Sequence, residues 1–203
     1  MGKVGIIPQP RKAKRDAMLQ NRNREKFIQA ILYFAHNTAA LGKIKLFKLL
    51  YLLDFEHFRQ TGRSVTGLEY RAWKMGPVPS ELVQQWDALD DDLAASILIV
   101  PEQVIDFWRE KVVPLQPFNG EHFSKRELRL LNSIAGQYRD TLSEKMIDVT
   151  HAENGAWATI WANGEGNDRA IPYVLAVADD DPNREAVLEA AAEYEAINAA
   201  QAG

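Results

Sequence analysis

The chain contains no cysteine. This excludes a disulfide framework, a thiolate metal site and a cysteine nucleophile, and it fits a reducing compartment. Histidine is scarce too, with four residues in 203, so imidazole chemistry has few positions from which to start. No apolar run approaches the ~20 residues that a membrane-spanning helix needs. The first residues lack the apolar stretch of a secretory leader. A cytoplasmic protein without a membrane segment is therefore expected. What is present is ordinary for a globular chain: 46% apolar and 26% charged residues, enough for one domain with a sizeable core, or one domain plus tails.

Charge is unevenly spread. The net value is −4, yet residues 1–26 hold eight basic side chains against two acids, a net of +6, which leaves −10 on the rest. Such a split reads as a basic arm on an acidic body, suited to nucleic acid or an acidic partner. The competing reading is a frayed, solvated terminus, and Pro8 and Pro10 favour a flexible extension over residues 1–25.

From Lys26 to Ala39 apolar residues recur with helical spacing, through Phe27, Ile28, Ile31, Leu32 and Phe34. Residues 44–59 are apolar on nearly every face, which predicts a buried central helix closed by Thr61-Gly62. Around Tyr70 the period changes to two, predicting a short strand. Met75-Gly76-Pro77-Val78-Pro79-Ser80-Glu81 then reads as a rigid strand-to-helix corner, with Ser80 starting a helix to about Leu89. Ile97–Val100 and 111–115 are further strand candidates, and the three strands together predict one small antiparallel sheet. Ser124-Lys125-Arg126-Glu127 is a capping box. Helices are expected over 143–152, near 157–161 and over 183–199, while 171–177 has no readable period. The fold class expected is mainly α with a small antiparallel sheet (α+β), packed around the central helix. The main domain spans 26–178, followed by an acidic loop and an Ala/Glu-rich helix over 179–203.

The search for chemistry yields little. Asp54 and His57 share a helix face, and His151 with Glu153 could approach them to form a metal or general-base site. No tightly spaced ligand pair supports this, and a histidine bonded to a neighbouring carboxylate is the commoner arrangement. Gly-x-Ser-x-Gly is absent. Gly164-Glu165-Gly166 fits no phosphate-binding loop, and the aspartate triplets at 90–92 and 179–181 lack EF-hand spacing. No catalytic residue, metal or cofactor is expected.

Four blocks taken together are more specific. Lys48-Leu49-Leu50-Tyr51-Leu52-Leu53-Asp54-Phe55-Glu56-His57, then Thr61-Gly62-Arg63-Ser64-Val65-Thr66-Gly67, then Tyr70, then Gly76-Pro77-Val78-Pro79 resemble the Panacea (SocA-like) antitoxin-domain family. His151 and Trp157 resemble its weaker C-terminal feature, so the likeness covers roughly residues 26–162. The resemblance implies a non-enzymatic module that neutralises a toxin, encoded by a neighbouring gene, through direct binding. In some members it implies an adaptor that hands the toxin to an AAA+ protease, and related sequences are phage-associated. Contact residues expected on the partner-facing side are Arg63, Arg71, Trp73, Pro77 and Trp86, and a homodimer is compatible with this reading. The alternatives are a DNA-binding autoregulator using residues 1–26 and a metal-dependent hydrolase built on Asp54, His57 and His151.

Overall fold

The computed structural model describes residues 11–105, 107–152 and 155–202. Its first helix, α1 (Arg11–Asn37), begins well before the expected Lys26. Residues 11–25 contain neither glycine nor proline and are rich in Arg, Lys and Ala, all good helix formers. The part of the basic extension before Arg11 lies outside the described residues. The stripe from Phe27 to Phe34 faces inward and is almost fully buried.

The central helix, α2 (Lys43–Thr61), is buried from Lys45 to Phe55 without a break. It packs against α1, α5 (Lys125–Gln137), α6 (Ser143–Ala152) and α8 (Arg184–Ala202). Gly62 caps it in the left-handed conformation (φ 70°), its N–H donating to the Phe58 carbonyl. A Cβ on Gly62 would lie 2.6 Å from the Val187 carbonyl oxygen of α8 and 2.7 Å from the Ala191 nitrogen. Glycine is thus needed twice at one position, for the turn and for the helix crossing above it.

The corner proves to be a strand. β1 (Tyr70–Trp73) and β2 (Gly76–Pro79) form an antiparallel hairpin reversed at Lys74-Met75, with Tyr70 opposite Pro79 and Trp73 opposite Gly76. Gly76 at φ 101° supplies the reversal, and the prolines sit on an edge strand, where a missing donor is tolerated. The helix expected after it is one short turn, α3 (Ser80–Gln84). Pro79 is its N-cap residue, and the Ser80 hydroxyl donates to Glu69 instead of capping. After α4 (Asp91–Ala94) comes a second hairpin, β3 (Ile97–Val104) with β4 (Phe107–Pro114). The strands therefore form two separate two-stranded sheets, not one. The outer edge of β1 is covered by residues 168–171 instead: Ala72 N donates to Arg169 O, Asp168 N to Ala72 O and Ile171 N to Tyr70 O.

The expected capping box at Ser124 is formed, with Ser124 and Glu127 satisfying each other's backbone N–H. α7 (Ala156–Trp161) and α8 lie where the sequence pattern puts them, and the ambiguous 171–177 stretch contains a single 3₁₀ turn, Tyr173–Ala176. The architecture is mainly helical α+β around α2. Among the described residues no helix is long and apolar enough to cross a membrane.

Candidate partner-binding surface

Polar groups buried along α2 hold the peripheral elements in place. Asp54 is fully buried. Its Oδ1 accepts from the N–H groups of Val65 and Thr66, both at 2.7 Å, and its Oδ2 accepts from the Thr66 hydroxyl and the Tyr70 hydroxyl. Burial pushes this carboxyl up from its ordinary value and the four donors oppose that shift; burial and the adjacent Asp54 charge push the Tyr70 phenol well up. One carboxylate thereby fastens the 63–67 connector and β1 to the central helix. Tyr51 and Phe55 pack their rings against Tyr70 at 5.5 and 5.7 Å.

One and a half turns earlier on α2, Lys48 does the same for β2. Its Nζ donates to the Pro77 carbonyl at 2.9 Å and lies 2.6 Å from where a Cβ on Gly76 would sit. Burial lowers the Lys48 pKa to about 7. Beside it, His151 stacks face to face on Trp157 at 3.7 Å, and Trp157 Nε1 donates to the Trp73 carbonyl. Burial, and then the Lys48 charge, lowers the His151 pKa. The family-motif residues Lys48, Tyr51, Asp54, His57, Tyr70, Gly76, Pro77, His151 and Trp157 thus form the internal frame of the domain. Gly67, at φ 75°, makes the turn in the connector beside Asn23.

The metal-hydrolase arrangement is not assembled. Asp54 is engaged by its four donors, His57 donates through Nδ1 to the Arg63 carbonyl at 2.7 Å, and His151 stacks on Trp157. Burial lowers the His57 pKa. Among the described residues no group of three His, Cys, Asp or Glu side chains could hold a metal ion. Glu153 lies outside the described residues.

The five contact candidates separate. Trp86 is 2% exposed, edge-on to Phe47 with the Lys43 ammonium over its ring, and Pro77 is buried. Trp73 is 39% exposed and donates from Nε1 to Asp168, whose backbone carbonyl accepts from Arg71. Arg63 is exposed, with its guanidinium over the Tyr194 ring at 4.5 Å. At the end of the basic extension, Arg24 is clasped by Glu81, Asp90 and Asp92, and Lys26 forms a buried pair with Glu127. Two of its cations are therefore spent on carboxylates of the body.

The frame displays a surface that the sequence reading missed. A groove of about 580 Å³ runs between the turn of the first hairpin, the second hairpin and the start of α6. Its walls carry Met75, Trp108 and Leu142, which are 49%, 67% and 62% exposed, together with Ile44 and Ile147. Ile105 stands at the tip of the second hairpin, 89% exposed. Large apolar side chains gathered in this way are what protein interfaces use as anchors. The rim is polar, with Lys43 facing Glu110 and Glu102 held by Arg109 and Lys111. Trp108 was the available clue, a tryptophan set among charged residues in Trp108-Arg109-Glu110-Lys111.

Residues 46–158 match the model of the antitoxin SocA-like, Panacea domain family. That stretch is more than half of the chain and contains both hairpins, the motif residues of α2 and the groove residues from Met75 to Ile147, while Ile44 and Lys43 lie just before it. Comparison with curated proteins and with solved structures finds no match. On the family match, the chain belongs to the SocA-like antitoxin family defined by the Panacea domain.

Proposed function

We propose that this chain neutralises a cognate protein toxin by seating it on the groove between the two hairpins and α6. The observation that carries the reading is the exposure of Met75, Trp108 and Leu142 around one concavity within the family-matched stretch. A specific protein complex buries on the order of 1,600 Å² in total, so the groove would be the centre of a larger footprint. Arg71 and Trp73, beside the first hairpin turn, extend that footprint and remain candidate contacts. Neutralisation requires only that the seated toxin be held inactive or have its active site covered.

Co-expression with the adjacent gene product tests this directly. The toxin alone should arrest growth, and the chain should rescue growth and co-purify with the toxin. Trp108→Ser combined with Leu142→Asp should weaken the complex roughly 30-fold or more, as for two interface anchors. Both side chains are largely exposed, so melting should change little. A double variant that still rescues growth and binds like the parent would remove the groove from the mechanism.

A further inference from the structure

A second concavity, of about 530 Å³, lies elsewhere on the molecule. It is bordered by α1, the connector after α2, the first turn of α5 and α8. Three arginines line it from three different segments: Arg22 of α1, Arg63 of the connector and Arg126 of α5. All three are exposed, and none forms an ion pair among the described residues. The carboxylate in its lining, Glu127, is already engaged by Lys26 and the Ser124 N–H. Burial raises the Glu127 pKa, but those two donors more than offset it, and the group stays ionised. Burial shifts the neighbouring His57 down from its ordinary value.

On a chain of net charge −4, such a cluster is a local inversion of sign. Unpaired arginines lining one concavity repel one another unless an anion sits among them. Arginine presents a planar fork that fits phosphate oxygens in pairs, and the start of the 13-residue helix α5 adds positive potential. The Tyr194 ring, already beneath Arg63 at 4.5 Å, gives the wall a flat face. The remaining lining combines Asn23, Thr61, Ser64 and Ser124 with the apolar Val65. The volume falls within the range of small-molecule sites, ~300–1,000 Å³.

We infer that this concavity binds a phosphate-bearing small molecule of nucleotide size, independently of the apolar groove. Arg22, Arg63 and Arg126 hold the phosphates, and turning Arg63 toward them frees the Tyr194 ring face that it now covers for a base.

Calorimetric titration of the full chain at low ionic strength with pyrophosphate, and separately with adenosine triphosphate, tests the assignment. Saturable binding is expected, weakened about tenfold or more by Arg63→Ala and by Arg126→Ala, each of which removes a charge-assisted pair. Arg129→Ala, on the same helix but outside the concavity, should leave binding unchanged. Tyr194→Ala should weaken the triphosphate and spare pyrophosphate if the base stacks there, and should spare both if phosphate alone is read. Absence of saturable binding of either probe at ~1 mM, or an equal loss in Arg129→Ala, would overturn the inference.

Discussion

Raising the pH from 7 to 9 should stabilise this protein through Lys48. In the unfolded chain the amine titrates near 10.5, whereas in the fold burial lowers it to about 7. Between those values the unfolded state holds a proton that the native state does not, so stability rises with pH across the window. Above the upper value both states are neutral. Below the lower one both are protonated and the penalty is constant. Each unit inside the window is worth about 1.36 kcal/mol, and half-protonation at pH 7 trims the total, leaving about 2 kcal/mol between pH 7 and 9. For a chain of this length that is about 4–8 °C in Tm. The measurement is urea denaturation followed by tryptophan fluorescence at both pH values, in the parent and in Lys48→Met. Lys45, lowered by burial to about 8, contributes equally to both proteins and cancels in the difference. Methionine keeps most of the stem but cannot titrate, so its stability should respond to pH by about 2 kcal/mol less. Identical pH responses in the two proteins would refute the assignment of a buried amine with a pKa lowered to about 7.

Two further substitutions probe the frame. Asp54→Asn keeps an oxygen for the Val65 and Thr66 N–H groups but turns an NH₂ toward the Thr66 and Tyr70 hydroxyls, and with about 1–3 kcal/mol per unsatisfied buried group it should cost about 2–4 kcal/mol in urea unfolding. An unchanged midpoint would mean that the carboxylate is dispensable. Gly62→Ala adds left-handed strain of ~1–2 kcal/mol to a backbone clash with α8, and should lower Tm and speed proteolysis of α8. A melting temperature at the parent's value would show that the crossing tolerates a methyl group.

The long elements were legible because each has a local cause. Residues 44–59 are apolar on nearly every face, the pattern of a buried helix, and Ser124-Lys125-Arg126-Glu127 closes its own hydrogen bonds without help from elsewhere. The two hairpins were harder. Gly76-Pro77-Val78-Pro79 looks like a corner because prolines discourage a strand, and its pairing depends on Lys48 reaching Pro77 from 29 positions away in sequence. The motif residues carry the resemblance by type and spacing, but their place inside the fold is not readable from the chain. Lys48, Asp54 and Trp157 are the kind of polar and aromatic groups that mark active sites, whereas here they satisfy backbone and hydroxyl groups inside the fold. The groove escaped notice because Met75, Trp108 and Leu142 belong to three separate segments, and only tertiary packing makes them neighbours.

The pairing of residues 168–171 with the outer edge of β1 has a bearing on where the folding unit ends. The family match stops at residue 158, ten positions short of the segment that shields this strand and well before α8 crosses Gly62. A fragment cut to the recognisable limits would keep every motif residue, yet bare a row of backbone donors and acceptors of the kind that recruits strands from other molecules. The recognisable length and the length that satisfies the backbone of β1 are different, because residues beyond the match pair with its outer edge.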